Sequence, residues 1–223
     1  MNKPTIVGVQ KRTLRGSQLR AESQGDEMAL EGYAASFNCL SQDLGGFREM
    51  LKPGCFSRSL KEGADVKCTM NHDPNLLLGR VKNGSLKVSE DSYGLKFRCE
   101  LDVASATARE LHTAVRSGLI DECSFAFTLP DGGDEWDESV DENGKRFARR
   151  SVRNCDLIDV SAVTYPAYDK GTGVSARSAD YVNQAVGQWR AEMRRKLDAA
   201  MTPQPPSIEE LRAKAARLAA SIK

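Results

Sequence analysis

A chain of 223 residues with only two histidines has few groups able to move a proton near neutral pH. His72 closes an apolar run, Asp65–Met70, that reads as a strand, and it lies within Asn71-His72-Asp73-Pro74, where Asp-Pro marks a sharp turn. A side chain at a strand end beside a turn can reach an open cleft. His112 stands mid-helix next to Leu111, flanking an apolar stripe, and reads as structural. The nucleophile candidate is Ser124. Its strand, 119–129, turns Cys123, Phe125, Phe127 and Leu129 one way and Glu122, Ser124 and Ala126 the other. The small Ala126 leaves room near the hydroxyl for a substrate; a serine merely facing solvent is the competing reading. No Gly-x-Ser-x-Gly elbow occurs, which excludes the α/β-hydrolase arrangement.

A serine nucleophile needs a base for its proton and a third group to fix the imidazole tautomer. Two carboxylates, Asp156 and Asp159, are candidates for that role, within Asn154-Cys155-Asp156-Leu157-Ile158-Asp159. Asp159 shares strand parity with Leu157 and Val163, and a carboxylate buried there requires a partner. An ion pair with Arg149, Arg150 or Arg153 accounts for it equally well, so the choice stays open. Cys68 and His72 are four apart, half of a zinc site, but no second half follows. The six cysteines are scattered without a Cys-x-x-Cys pair and read as small buried hydrophobes. No metal and no cofactor are expected.

The elements that must position these groups are mostly short strands. Residues 1–27 are polar and basic with little periodicity, and read as a loosely ordered arm or a first strand around Ile6–Val9. Met28–Phe37 reads as a strand, and a short helical piece follows near Phe56–Leu60. Leu86–Ser89 and Leu95–Leu101 form a hairpin turning at Asp91–Gly94. Ser105 caps a helix that carries Ala108, Leu111 and Val115 on one face and ends at Gly118. Residues 131–142 hold seven acids and no base, then turn at Asn143-Gly144 into a basic strand, Lys145–Arg153. They read as a solvated hairpin tip, with a mobile lid or substrate-steering element as the alternative. Leu157–Tyr165 is the last strong strand.

The final 40 or so residues change character. Val182, Val186, Trp189, Met193, Leu197 and Met201 stripe one amphipathic helix, and Pro203, Pro205 and Pro206 break it. Ser207-Ile208-Glu209-Glu210 forms a capping box that opens a second helix. The tail 181–223 is net basic, eight Lys and Arg against four Asp and Glu, whereas the whole chain carries only +1. That balance argues against a dedicated nucleic-acid binder. No apolar run approaches the roughly 18 residues of a membrane span, and Met1-Asn2-Lys3-Pro4 opens no signal peptide, so an intracellular protein is expected.

Six short motifs in fixed order carry a resemblance. They are Glu31-Gly32-Tyr33-Ala34; Phe47-Arg48-Glu49 with Lys52-Pro53-Gly54-Cys55-Phe56; Asn71-His72-Asp73-Pro74 with Leu78-Gly79-Arg80-Val81; Gly94-Leu95; Gly118-Leu119-Ile120 with Cys123-Ser124-Phe125-Ala126-Phe127; and Asp159-Val160-Ser161 with Tyr165-Pro166-Ala167. The chain resembles the prohead maturation proteases of tailed bacteriophages, which are related in fold to herpesvirus assemblin. The resemblance implies a serine endopeptidase with His72 as base, Ser124 as nucleophile and Asp159 as third member. It covers roughly residues 28–175 and implies a mainly β fold with surrounding helices, an assemblin-like β-barrel; the striped segments read above make 176–223 a helical tail. It also implies a place inside the assembling prohead in the host cytoplasm. The partners would be the major capsid protein and its scaffolding region, the enzyme itself as a target of self-cleavage and, by analogy with assemblin, a homodimer. Neither a membrane nor a specific nucleic acid is among them. Glu122 and Ala126 stand where the family often has glycine. That leaves the oxyanion donors open among main-chain N–H groups near Ser124, Arg80 and an arginine of the 145–153 strand. Two rival readings are a non-catalytic scaffold or capsid-assembly protein on the same fold, and a hydrolase of small esters.

Overall fold

The computed structural model describes residues 8–14, 18–24, 27–164, 191–192 and 195, and between residues 8 and 164 the described residues form twelve strands and two helices. In chain order these are β1 (Gln10–Leu14), β2 (Arg20–Gln24), β3 (Glu27–Ser36), β4 (Phe47–Leu51), α1 (Ser57–Lys61), β5 (Lys67–Met70), β6 (Asp73–Arg80), β7 (Leu86–Glu90), β8 (Gly94–Leu101), α2 (Ala106–Arg116), β9 (Glu122–Thr128), β10 (Asp134–Val140), β11 (Arg146–Val152) and β12 (Asp156–Val163). The chain divides into two compact units, Met1–Val186 and Gly187–Lys223. In the second unit only Ala191, Glu192 and Arg195 are described, all helical, so the two tail helices lie outside the described residues.

The strands form three sheets: β1-β9-β12-β5-β6, β2-β3-β8-β7 and β10-β11-β4. Pairing is antiparallel except for β11 with β4 and β12 with β5. The expected closed barrel is therefore not what the described strands build. Register shifts interrupt the β3–β8, β5–β6 and β9–β12 pairings, and the described strands divide into three separate hydrogen-bonded sheets. Instead, the core fills between layers: Leu30 and Ala34 of β3, Phe97 and Cys99 of β8, Phe125 of β9 and Val160 of β12 are all buried together. In β9 the five residues Cys123–Phe127 are buried on both faces, which marks a strand with packing on either side.

Local chemistry accounts for the elements. In β8 the alternation of Leu95, Phe97, Cys99 and Leu101 buries one face, and a Cβ at Gly94 would strike the Ala35 carbonyl of the neighbouring strand. Ser105 Oγ accepts from Ala108 N at 3.3 Å to cap α2, and Gly118 leaves it with φ +75°. The acidic 131–142 run is a strand rather than a bare tip. Asp137 and Glu138 of β10 pair with Arg149 and Arg146 of β11, and Glu135 with Arg153.

Three other expectations change. The stretch read as a loose arm supplies β1 and β2, while Ile6 and Val7 lie outside the described residues. The turn near His72 comes two residues earlier than Asp-Pro implied, at Asn71 and His72 themselves, and Asp73-Pro74 already belongs to β6. Proline is tolerated there because β6 is an edge strand. Cys55, Cys68, Cys99, Cys123 and Cys155 are buried thiols and Cys39 is exposed, none of them in a disulfide. Cys68 is pushed well above the usual thiol range by its neighbour Cys99 and by burial, so it behaves as an apolar filler.

Candidate active site

Three adjacent strands of the first sheet, β9, β12 and β5, bring His72, Ser124 and Asp159 together. Ser124 is in the middle of β9, opposite Ser161 of β12. Next to it, Ser161 faces Thr69 of β5, the strand that leads into His72. Asn71 and His72 both adopt left-handed backbone, φ 54° and 56°, a conformation that costs a non-glycine residue free energy and therefore needs support. The support is specific. Asn71 N donates to the Ala162 carbonyl at 2.9 Å, Asn71 Oδ1 accepts from Thr164 N and Oγ1, and His72 N donates to Ser161 Oγ at 2.9 Å. Ser161 Oγ is itself fixed by donating to the Thr69 carbonyl at 2.9 Å.

Held this way, the imidazole bridges the other two groups. His72 Nδ1 lies 2.7 Å from Asp159 Oδ1, and Nε2 lies 2.6 Å from Ser124 Oγ. A carboxylate only accepts hydrogen bonds, so Nδ1 carries the proton and Nε2 presents its lone pair to the serine hydroxyl. The ring is 6% exposed and Asp159 14%, which keeps the pair largely out of water. Such an array can take the hydroxyl proton as oxygen attacks an acyl carbon and can hold the imidazolium that results.

Asp159 reaches this place through a backbone irregularity. Leu157 pairs with Phe127, but the next pairing joins Asp159 to Ala126, so Ile158 is an extra residue on β12. The bulge removes Asp159 from the face of Leu157 and puts it on that of Ser124. Strand parity with Leu157 was therefore misleading. The arginines weighed as its partners go elsewhere: Arg149 to Asp137, Arg150 to Glu49 and Asp134, and Arg153 to Glu135. Asp156 pairs with Arg58 and is no part of the group. Arg80 is bound to Asp65, whose carboxyl it holds well below the usual range. His112 is buried in α2, where its Nε2 donates to the Glu22 carbonyl at 3.0 Å, a structural role. Ser161 is the residue that sequence reasoning missed; its place two residues after the acid was visible, but nothing in its type separated a brace from an ordinary buried serine.

Ser124 is also completely buried, which excludes the solvent-facing reading. Its Oγ lies 2.9 Å from the Arg12 carbonyl of β1, a second acceptor for the same proton.

A hydroxyl, an imidazole and a carboxylate in hydrogen-bonded series on a mainly β scaffold define a serine-hydrolase type of site. The particular family follows from comparison with known proteins: residues 17–185 match the family model of the caudovirus prohead serine protease, and the chain belongs to that family. No curated protein and no solved structure matches it. Membership makes this a phage serine protease associated with the procapsid. Among the described residues no helix is long and apolar enough to cross a membrane.

Proposed function

We propose that the chain is the endopeptidase that cuts scaffold, or the scaffolding region of the capsid protein, within the assembling prohead, and that it also cuts itself. Ser124 is the nucleophile, His72 the general base and acid, and Asp159 the group that orients the ring. The observation that carries this reading is the continuous hydrogen-bonded series from Ser124 through His72 to Asp159 in a chain of this family.

In the reaction, His72 Nε2 takes the Ser124 proton as Oγ bonds to the scissile carbonyl carbon. The C–N bond then breaks, and the same proton passes to the leaving amine. Water adds to the acyl ester with His72 again as base, releasing the new carboxyl and restoring the serine. Arg80, the arginines of β11 and Arg153 are each paired with a carboxylate, and of the three sources we take main-chain N–H groups near Ser124 as the oxyanion donors.

The test is incubation of purified protein with capsid and scaffold proteins, read on gels and by mass spectrometry. Ser124→Ala and His72→Ala should remain folded and lose cleavage of scaffold and self by about 10⁴-fold or more. Asp159→Asn should lose nearly as much, while Asp156→Asn keeps most activity. Normal processing by Ser124→Ala would overturn the assignment, and loss in Asp156→Asn alone would reassign the third member.

A further inference from the structure

The strand that covers the nucleophile does so as a peptide substrate would. β1 lies at the edge of the first sheet, antiparallel to β9, with Thr13 opposite Ser124. An extended chain added to a sheet edge is a common way of recognising peptides, the main chain supplying affinity and alternate side chains specificity. The β1 carbonyl beside Ser124 Oγ belongs to Arg12. On the other face of β1, the Arg12 guanidinium forms a two-pronged pair with Glu49, Nε to Oε1 at 2.7 Å and Nη2 to Oε2 at 3.0 Å, and stacks 5.4 Å from the Phe127 ring. An open cavity of about 390 Å³ continues alongside, lined by Arg12, Thr13, Ser36, Leu40, Glu49 and Leu51.

We infer that the edge of β9 is the substrate cleft, that β1 is a built-in occupant of it, and that Glu49 is the specificity-determining residue, selecting a basic side chain next to the scissile carbonyl. The inference rests on the protease reading above. Three further observations support it. The buried Glu49 is gripped by Arg12 and Arg150 together, so removal of the Arg12 guanidinium takes away one of the two cations that face this carboxylate and leaves a place that favours another. Gln10 of β1 is held through Oε1 by Arg150 and Arg12, yet its amide nitrogen is buried without a hydrogen-bond partner, so the seated strand leaves one polar group unsatisfied. β1 also precedes residue 17, where the match to the family begins. In the seated strand the Arg12 carbonyl oxygen is a second acceptor for the serine proton, in competition with His72 Nε2, which opposes the attack that would cut it.

The experiment uses full-length protein, wild type and Arg12→Ala, with a fluorophosphonate probe and two internally quenched peptides. The peptides are identical except for Arg or Met at the residue that supplies the scissile carbonyl. Weakening the occupant with Arg12→Ala should raise the rate of Ser124 labelling about tenfold or more, and the Arg peptide should be cut at least about tenfold faster than the Met peptide. Glu49→Gln should erase that preference by slowing the Arg peptide alone, with a thermal melt confirming that it is folded. Labelling in Arg12→Ala no faster than in wild type would remove β1 as an occupant. Equal cleavage of the two peptides, with Ser124 labelled, would overturn the basic subsite and leave the protease intact. Absence of both labelling and cleavage in every protein would instead bring down the protease reading beneath it.

Discussion

Ser161 shows how a residue that touches no substrate can govern this site. Its Oγ holds the His72 main chain in a left-handed turn, so its removal lets the imidazole drift from the line between Ser124 and Asp159. Ser161→Ala should lower kcat about tenfold or more with KM nearly unchanged, and lower stability by about 1–3 kcal/mol, as measured by peptide kinetics and urea unfolding. A fall in stability with unchanged kcat would assign Ser161 to the core alone. His72 and Ser124 were legible because histidine was scarce and the β9 alternation strong. Asp159 was legible only as one of two carboxylates. Counting alternate residues assumes an unbroken pleat, and the extra Ile158 breaks it in front of the residue that matters.

Buried and exposed charge pairs at β4, β10 and β11 have different consequences. Asp137–Arg149 lies on the open side of the hairpin, and Asp137→Ala should change stability by no more than about 1 kcal/mol. Arg150 is fully buried with Glu49 and Asp134 as partners, and Arg150→Ala should cost about 3–5 kcal/mol in urea unfolding. Glu49 adds a pH signature. Burial works to raise its carboxyl, but Arg12 and Arg150 overcome this and hold it below the usual glutamate range. Its contribution is therefore complete above the ordinary glutamate pKa and is lost as pH falls through the lower folded value. Acid titration of stability should fall more steeply for wild type than for Glu49→Gln, and equal slopes would contradict the pairing. Caps and alternation made α2 and the β7–β8 hairpin plain from sequence. β1 was not plain. One face of Gln-Lys-Arg-Thr-Leu meets Ser124 and the other meets Glu49, so it lacks the apolar stripe that periodicity detects.

Among the described residues the strands form three separate sheets packed about a shared core. A mainly β composition with few helices was evident from many short runs and frequent turns. The barrel expected from the family resemblance was not what the described strands build, because short runs of alternating residues do not record which strand ends pair across sheets. The family match extends to residue 185, so a chain ending there should keep its peptidase activity on the quenched peptides. Activity below about a tenth of the full chain's would place part of the catalytic unit beyond that point.

The complete burial of Ser124 has a quantitative corollary for timing. A strand joined to its own site by a short stretch of chain competes at a fixed local concentration, on the order of millimolar, however little protease is made. With β1 as the occupant proposed above, dilute proteins carrying the right side chain would lose that competition. Substrate held at comparable density, as the proposed role in the prohead requires, would not, so crowding would start the enzyme where its targets are gathered.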